Sequence, residues 1–473
     1  MHQLAAARYQ VPATSQSSYI SASCHDSTLR GHSQRQHASH SCRTVSSLNL
    51  AGFTGEPVAA DPERLLLSWA RNGWATEFRW QHHTLEQAGI VDPSPLGGPR
   101  HDSSRCHVGV ASFGSWSTGN FLAVGAVTDQ RTGHCWTWQI EHNGAWQWQA
   151  FDINSSLALT LSGPTSAEHF WSLRLGPGER FSSVPATLAV SPGGLEGALA
   201  EMTRHRRLTR RPNRDNRECP VIFNYYMNCL MGDPTTEKLR PLVRAAAEAG
   251  CEYFVIDCGW YADNAGWWDT VGDWEPAASR FPRGLGEVTD AITAAGMTPG
   301  LWLEPEVVGV RSAVAARFSS EAYFCRDGRP IIENGRYQLD FTHPEVTRHL
   351  DDTVDRLIGQ FGIGYLKLDY NINIGHGTDT RGRSPGAGLL DHNRAYSRWL
   401  DTLFPAIPGW SWRTAPRGEC APTMPSCHGS VCNQPATRST RSCTPRSRHR
   451  PPPQSPPSRL RSGPTRSRTG ATT

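Results

Sequence analysis

The chain has 473 residues, of which 38% are hydrophobic and 19% charged, and this composition excludes a protein that is disordered throughout. Its net charge of +4 is unevenly distributed, because residues 411–473 carry +10, from 11 Arg and one acid, and residues 1–410 carry −6. No run of about 18 apolar residues predicts a membrane span, and no basic start followed by an apolar core predicts a secretory signal.

The first part of the chain predicts a leader followed by a β-sandwich. Residues 1–48 are rich in Ser, His and Gln and show no apolar period, so we expect a disordered leader. Residues 49–192 contain short alternating or aromatic runs separated by Gly, Asn, Pro and Asp, a spacing typical of an all-β sandwich. Residues 193–218 contain an amphipathic run and predict a helical linker.

Residues 219–409 alternate buried strands with amphipathic helices. The strand-like segments are PVIFNYYMN, CEYFVIDCGWY, MTPGLWLEPE and IGYLKLDYN. This order predicts a parallel sheet, and its period predicts a (β/α)8 TIM-type barrel of which about the first four βα units are present. The fold class is therefore multidomain, β followed by α/β. Residues 410–473 hold 11 of the 34 Pro and have no helical or strand period, so they predict a basic disordered tail.

Functional groups of a βα barrel collect at the carboxyl ends of its strands. These ends carry carboxylates, amides and aromatic rings, without a phosphate loop, a His-based metal spacing or a Ser–His pair. Aromatic faces and carboxylates are typical of a sugar site. The candidate residues are Asn224, Tyr226, Asp257, Trp260, Trp302, Glu304, Glu306, Lys367, Asp369 and Asn371.

The segment YLKLDYN is the most informative of these. Alternate residues of a strand share a face, so Lys367, Asp369 and Asn371 are predicted to point the same way. An ammonium beside a carboxylate keeps it ionised, as a nucleophile requires. The chain has only two Lys, at 238 and 367, and a Lys here suggests a role that Arg does not fill. A structural ion pair at a strand end remains the alternative.

The other candidate residues also allow a structural role in place of a sugar-binding one. Asp257 has the pattern of a helix-capping or loop-fixing acid, and Trp260 and Trp302 have the pattern of core residues. Glu304 and Glu306 flank Pro305 and are expected to fix a loop. Arg336 is either a carboxylate partner or a hydroxyl donor to a sugar. His82 and His83 lack a third ligand at a sensible spacing, so no metal site is predicted.

Six motifs occur in the order and spacing of α-galactosidases of glycoside hydrolase family 36, which the chain resembles from about residue 50 to 408. They are FNYYMNCLMGDP, YFVIDCGWY, GDWEP, GLWLEPE, GRYQLDFTHPEV and YLKLDYN. The resemblance implies a β-sandwich, a catalytic barrel and a small C-terminal β-domain. It also implies retaining double displacement on terminal α-galactosyl residues of melibiose- or raffinose-type sugars, without metal or cofactor. Asp369 is the implied nucleophile, and the implied substrate-binding residues are Asp257, Trp302, Arg336, Lys367, Asn371 and Tyr226, the last where the family often has Trp.

The chain departs from the family pattern at two points. The family commonly has two adjacent Asp before GW, whereas this chain has Asp257 and Cys258, which weakens the case for galactose. The acid/base residue is absent, because the chain lacks both the TSDQ-like motif that contains it and the ENCxSGG motif that precedes it in the family. Residues 410–434, back-translated with permitted codons and read two bases on, yield ENCASGG and then SASDQ, whose last residues are drawn from residues 435–438. We therefore interpret residues 410–473 as out-of-frame product and expect the chain as written to fold poorly and hydrolyse very little.

Several other functions are compatible with these observations. One is an α-N-acetylgalactosaminidase or galactosyl transferase of the same fold, and another is a non-catalytic sugar-binding remnant. Nucleic-acid binding through the Arg-rich tail is disfavoured, because the tail lacks interleaved aromatic residues. Thirteen Cys without paired spacing indicate free thiols and a cytoplasmic protein, and homo-oligomers are compatible with the family.

Overall fold

The computed structural model describes residues 63–406 apart from gaps at 74–75, 91–106, 154–155, 178, 211–214 and 264–265. Outside this range it describes the backbone of a few short strands, namely β1 (Ala5–Ala7), β2 (Gln10–Pro12), β3 (Ala22–His25), β4 (Thr28–Gly31), β5 (Arg43–Val45) and one at 411–416. The predicted leader, 1–48, and the predicted out-of-frame tail, 410–473, otherwise lie outside the described residues.

The strands between residues 63 and 191 build an antiparallel layer. They are β6 (Leu65–Arg71), β7 (Arg79–Thr84), β8 (His107–Ser112), β9 (Phe121–Asp129), β10 (Cys135–Ile140), β11 (Trp146–Ile153), β12 (Ser156–Ser162), β13 (Leu173–Leu175), β14 (Arg180–Ser182) and β15 (Ala186–Ser191), and the helix α1 (Ser166–His169) lies between β12 and β13. Two antiparallel sheets share one core: the larger has the order β1-β15-β10-β9-β6-β7, and the smaller has the order β12-β11-β8. The strands β13 and β14 pair separately, with β5 and β2.

The core between these sheets is rich in tryptophan. Trp138, Trp146 and Trp148 have at most 1% of their surface exposed, and they pack with the alternate apolar residues of the strands. Gly125 of β9 accommodates one of these rings, because a Cβ atom there would lie 2.4 Å from Trp138. The absence of a side chain at this position thus allows close packing across neighbouring strands.

A helix connects the antiparallel sheets to the next part of the chain. In α2 (Gly194–Thr209), Ala198 packs against Ala126 and Cys135 of the larger sheet. This helix lies within the predicted linker, 193–218, and is followed by α3 (Asp215–Glu218). Two of its polar residues also bind the sheet, because His205 contacts Glu141 and Thr187, and Arg206 donates to Gln139.

The second part of the chain is a parallel sheet with helices in the connections. Its strand order is β16-β17-β18-β24-β25, all parallel, so the described residues form a half-barrel. The strands are β16 (Ile222–Asn224), β17 (Tyr253–Ile256), β18 (Thr298–Leu303), β24 (Tyr365–Tyr370) and β25 (Ser411–Pro416). The helices are α4 (Thr236–Glu248), α5 (Gly286–Ala294), α6 (Pro344–Phe361) and α7 (Pro385–Ala406).

An excursion of short strands interrupts the alternation after β18. It consists of β19 (Val307–Gly309), β20 (Cys325–Arg326), β21 (Arg329–Pro330), β22 (Ile332–Glu333) and β23 (Arg336–Gln338). The strands β19, β23 and β22 form an antiparallel sheet. This excursion brings Arg336 back to the carboxyl end of the parallel sheet, where the side chain of Glu304 lies.

The fifth parallel strand differs from the sequence-based expectation. The sequence predicts no strand beyond residue 409, whereas β25 pairs with β24 along its whole length. Pairing at the edge of a sheet requires backbone N–H and C=O groups but no apolar period in the side chains. The side chains of such a strand need not alternate between apolar and polar, so a segment rich in Arg, Ser and Pro is not predicted to be a strand.

The loop that follows β24 joins the half-barrel to the antiparallel sheets. The Asn373 side-chain oxygen accepts hydrogen bonds from the backbone N–H groups of Ser115 at 2.9 Å and Trp116 at 3.3 Å. Its amide nitrogen donates to the carbonyl oxygen of Phe113 at 3.3 Å. One asparagine thus satisfies three backbone groups of the other layer.

We expect Asn373→Ala to lower the free energy of unfolding by about 1–3 kcal/mol, because it leaves backbone donors of the joint without their acceptor. Equilibrium unfolding in urea measures the change. Asn120→Ala is the matched control, since Asn120 is an exposed asparagine of the same antiparallel layer, and its change should stay within about 0.5 kcal/mol. Equal stabilities of the two variants would contradict the role assigned to Asn373.

Two further observations concern the described residues. Their cysteines are all free, namely Cys135, Cys219, Cys229, Cys251, Cys258 and Cys325. None of the helices in this described part of the chain is both long and apolar enough to cross a bilayer.

Candidate active site

An ion pair between neighbouring strand ends forms one side of the site. Lys367 of β24 donates from Nζ to Asp257 Oδ2 at 2.7 Å, and the side chains are 22% and 2% exposed. Asn224 Nδ2 donates to the same Oδ2 at 2.5 Å, and the backbone N–H of Cys258 donates to Oδ1 at 2.8 Å. Three donors therefore hold the Asp257 carboxylate, and Oδ1 keeps capacity for one more.

Asp369 lies two residues beyond Lys367 on the same strand. Its Oδ2 accepts hydrogen bonds from Trp302 Nε1 at 2.9 Å and from Asn371 Nδ2 at 2.8 Å. Its Oδ1 accepts one bond, from the backbone N–H of Tyr370 at 3.0 Å. Because a carboxylate oxygen has two lone-pair directions, Oδ1 is the oxygen with remaining capacity to react or to bind a ligand.

A buried cluster of Glu304, Arg336 and Asn371 supports Asp369. Arg336 Nη1 donates to Glu304 Oε2 at 2.5 Å, and both side chains are 0% exposed. Arg336 also donates from Nε to the carbonyl oxygen of Trp268, and its guanidinium lies 3.7 Å from the centre of the Trp268 ring. Glu304 Oε1 accepts from the backbone N–H of Asn371 at 2.8 Å. The Glu304 carboxylate is thus bound by Arg336 of β23 and by Asn371, which follows β24.

An aromatic layer encloses this cluster. Trp302 and Trp260 are 0% exposed, and Trp260 Nε1 donates to the carbonyl oxygen of Trp302 at 3.0 Å. Tyr261 stacks on Trp302 with 6.1 Å between ring centres, and Trp267 meets it edge to face at 5.9 Å. Trp302 is therefore a core residue in this structure and reaches Asp369 through its indole N–H.

Tyr226 and Cys258 lie on the Asp257 side of the site. Burial, together with the nearby Cys258 and Asp257, raises the pKa of Tyr226 to about 12. Burial also raises the pKa of the Cys258 thiol well above its usual value, and Asp257 adds to this effect. Both groups are therefore neutral near pH 7 and can act as hydrogen-bond donors.

The charges in the site do not cancel. Arg336 and Lys367 contribute two positive charges, and Asp257, Glu304 and Asp369 contribute three negative ones. Burial works against the Lys367 charge, but Asp257 and Asp369 outweigh it and raise the pKa of this ammonium. Burial raises the pKa of Glu304, which Arg336 opposes. A site with one excess negative charge favours a ligand that develops positive charge.

The structure brings every predicted site residue to one end of the parallel sheet. Asn224, Asp257 and Lys367 are joined by direct hydrogen bonds, and so, separately, are Asp369 and Asn371. Both amide hydrogens of Asn371 point to protein carboxylates, so only its oxygen is free for a ligand. Trp302 and Arg336 have no exposed surface here, and their predicted sugar contacts stay predictions.

The sequence did not predict two of the tryptophans at the site, and it predicted only part of the role of Glu304. Trp267 and Trp268, which contact Arg336, lie in a loop after β17 and could have been suspected only from the aromatic run GWW. Glu304 was expected to fix a loop, and it does so by binding the backbone of Asn371. Glu306 pairs with His392 at 2.7 Å and also bonds the side chain of Tyr370, the residue after Asp369. In the described part of the chain, no group of three or more His, Cys, Asp or Glu could hold a metal ion.

We expect Lys367→Met to lower the free energy of unfolding by about 2–3 kcal/mol, because it leaves a nearly buried Asp257 carboxylate without its cation. The other lysine of the chain provides the control. Lys238 pairs with Asp233 where both side chains are about half exposed, so Lys238→Met should change stability by less than about 0.5 kcal/mol. Urea unfolding of both variants compares the two lysines, and similar losses would contradict the buried role of Lys367.

Comparison with known proteins gives a consistent result. The family model described as Melibiase matches residues 181–389. Alpha-galactosidase C of Emericella nidulans is 26% identical over 340 residues, which cover 66% of this chain and 43% of that protein. Alpha-galactosidase AgaA of Geobacillus stearothermophilus is 28% identical over 258 residues, covering 53% and 34%. The chain thus spans less than half the length of these curated relatives.

Solved structures show the same fold. The α-galactosidase of Lactobacillus brevis superposes with a TM-score of 0.66 at 19% identity, covering 82% of this chain and 50% of the other. A family 36 α-galactosidase AgaA variant from Geobacillus stearothermophilus, solved with stachyose, superposes with a TM-score of 0.65 at 19% identity, covering 77% and 49%. The predicted resemblance to family 36 α-galactosidases is confirmed, and the half-barrel is part of their fold.

Proposed function

We propose that this chain, a relative of family 36 α-galactosidases, carries the nucleophile and the sugar-binding half of a retaining glycoside hydrolase site. A complete site of this kind would act on oligosaccharides with terminal α-galactosyl residues, such as melibiose or raffinose. The observation that carries the proposal is Asp369, whose Oδ2 is saturated by two donors while Oδ1 retains a free lone pair. The stachyose and raffinose complexes of a relative support the substrate class.

The first chemical step follows from this geometry. Asp369 Oδ1 would attack the anomeric carbon, forming a covalent ester as the bond from that carbon to the leaving oxygen breaks. Trp302 and Asn371 hold Oδ2, so the carboxylate does not need to reorient during attack. The excess negative charge of the site stabilises the oxocarbenium-like transition state. Asp257 Oδ1 and Lys367 would receive the sugar hydroxyls.

The leaving oxygen must gain a proton unless it is a stable anion. Glu304 and Asp257 are the carboxylates linked to this site in the described residues, and neither suits the role of donor. Glu304 is 0% exposed and paired with Arg336, and Asp257 is paired with Lys367, so both are held as acceptors. We therefore propose that this part of the chain performs galactosyl transfer to Asp369 only from substrates whose leaving group needs no protonation.

The test uses the full chain and two substrates that differ in their leaving group. With 2,4-dinitrophenyl α-galactoside we expect a galactosyl adduct by intact mass, mapped to Asp369 by peptide digestion. With melibiose, whose leaving group needs a proton, we expect no adduct and no release of galactose. Hydrolysis of melibiose at an ordinary rate would contradict the missing donor. Binding of galactose without any adduct would identify a sugar-binding protein instead.

One observation favours a second candidate substrate. Cys258 is a buried neutral thiol beside Asp257, where the family commonly has a second acid. Loss of that acid weakens selection for galactose hydroxyls, so α-N-acetylgalactosaminides are the alternative. Adduct formation from paired dinitrophenyl galactoside and N-acetylgalactosaminide separates the two.

A further inference from the structure

We infer that Glu304 is a positioning residue for the nucleophile, acting through Asn371. This inference rests on the proposed function, because it assigns the control of Asp369 orientation to a residue that touches no substrate. Glu304 lies directly after β18 and is 0% exposed. A carboxylate at such a site is costly unless each oxygen is satisfied, so its partners indicate what it does.

Glu304 holds Asn371 at two points. Its Oε1 accepts from the backbone N–H of Asn371 at 2.8 Å, and its Oε2 accepts from Asn371 Nδ2 at 3.1 Å. These two bonds fix both the backbone and the side chain of a residue just beyond the end of β24. The orientation of the amide is thereby assigned, because the reverse orientation would face its oxygen toward carboxylate oxygens.

Asn371 transmits this constraint to Asp369. Its second amide hydrogen goes to Asp369 Oδ2 at 2.8 Å, so one amide group bridges the two carboxylates. Together with the indole N–H of Trp302, it keeps Oδ2 in place and leaves Oδ1 to react. Small displacements of a reacting atom cost large factors in rate, so loosening this bridge should slow the attack.

Arg336 offsets the repulsion between the carboxylates of Glu304 and Asp369. Two carboxylates that share one amide repel each other, and Arg336 Nη1 compensates Glu304 at 2.5 Å. The guanidinium is itself held over the Trp268 ring and by the Trp268 carbonyl oxygen. Burial raises the pKa of Glu304 and Arg336 opposes this effect, so Arg336 favours the charged form, which is the one that accepts both Asn371 bonds.

The experiment compares Glu304→Asp, Glu304→Gln and Glu141→Gln in the full chain. Glu304→Asp keeps the charge beside Arg336 but is one methylene shorter, so it loses reach to Asn371. Glu141→Gln is the matched control, because Glu141 is nearly buried and pairs with His205 in the antiparallel layer, outside the site. Reaction with 2,4-dinitrophenyl α-galactoside gives the rate of adduct formation at saturation and the half-saturating concentration for each folded variant.

We expect about 10²-fold slower adduct formation in both Glu304 variants, a half-saturating concentration within about threefold of the parent, and an unchanged rate in Glu141→Gln. A merely structural role for Glu304 would instead leave the rate of the folded fraction unchanged, which would overturn the inference.

A second measurement separates this inference from the proposed function. Nuclear magnetic resonance of the free chain should show slow hydrogen exchange of the Asn371 side-chain amide, lost in both Glu304 variants and kept in Glu141→Gln. Protection by Glu304 without any adduct in the parent chain would support the positioning of Asn371 and refute the proposed chemistry. Unchanged exchange in the Glu304 variants would overturn the positioning itself.

Discussion

Replacing Asp369 by Asn is expected to reduce galactosyl-adduct formation by about 10⁴-fold or more, since removal of a nucleophile abolishes the covalent route. Asparagine has nearly the same shape, and its oxygen can still accept from Trp302 and Asn371. Its amide nitrogen would then replace Oδ1, the position that has the free lone pair. Intact-mass measurement of the full chain after reaction with 2,4-dinitrophenyl α-galactoside measures the loss of the galactosyl adduct directly.

A surface aspartate provides the control for this variant. Asp352 is exposed on α6, and Asp352→Asn should form the adduct at the parent rate. Thermal unfolding of both variants shows whether the fold is retained. An adduct in Asp369→Asn, or a label mapped to another carboxylate, would assign the nucleophile elsewhere.

Replacing Arg336 by Met is expected to lower the free energy of unfolding by about 3–5 kcal/mol, because it leaves Glu304 as an uncompensated charge in the interior. Both partners are 0% exposed, so solvent cannot replace the lost guanidinium. The double variant Arg336→Met with Glu304→Gln removes both charges and should regain a large part of this loss. Urea unfolding of the three variants completes a double-mutant cycle.

The matched control is an arginine in a surface ion pair. Arg240 contacts Glu287 at 3.3 Å with its side chain 51% exposed, so Arg240→Met should cost less than about 0.5 kcal/mol. Losses of the same size at positions 240 and 336 would show that burial of the Arg336 pair does not determine its contribution.

The local part of the site could be predicted from the sequence. The spacing of Lys367, Asp369 and Asn371 depends only on the two-residue period of a strand, and the structure places Asp369 and Asn371 in direct contact. The alternation of apolar strands and amphipathic helices likewise predicted a parallel sheet with helical connections, and the half-barrel has both.

The partners of these residues could not be predicted in the same way. The alternatives left open for Arg336 and Glu304, a carboxylate partner and a loop-fixing acid, turn out to be two sides of one ion pair. They meet only because the excursion after β18 returns to the sheet end. The fifth strand, β25, was missed because its pairing uses backbone groups.

The sequence by itself determined what is set by short-range periodicity, namely the strand and helix order, the shared face of Lys367 and Asp369, and the motifs that resemble family 36. Only the tertiary structure decided that Lys367 pairs with Asp257, 110 residues away, and that Glu304 bridges Arg336 and Asn371. Strand register and burial select these long-range partners, because a buried charge is tolerated only where the fold supplies its counter-charge and hydrogen bonds.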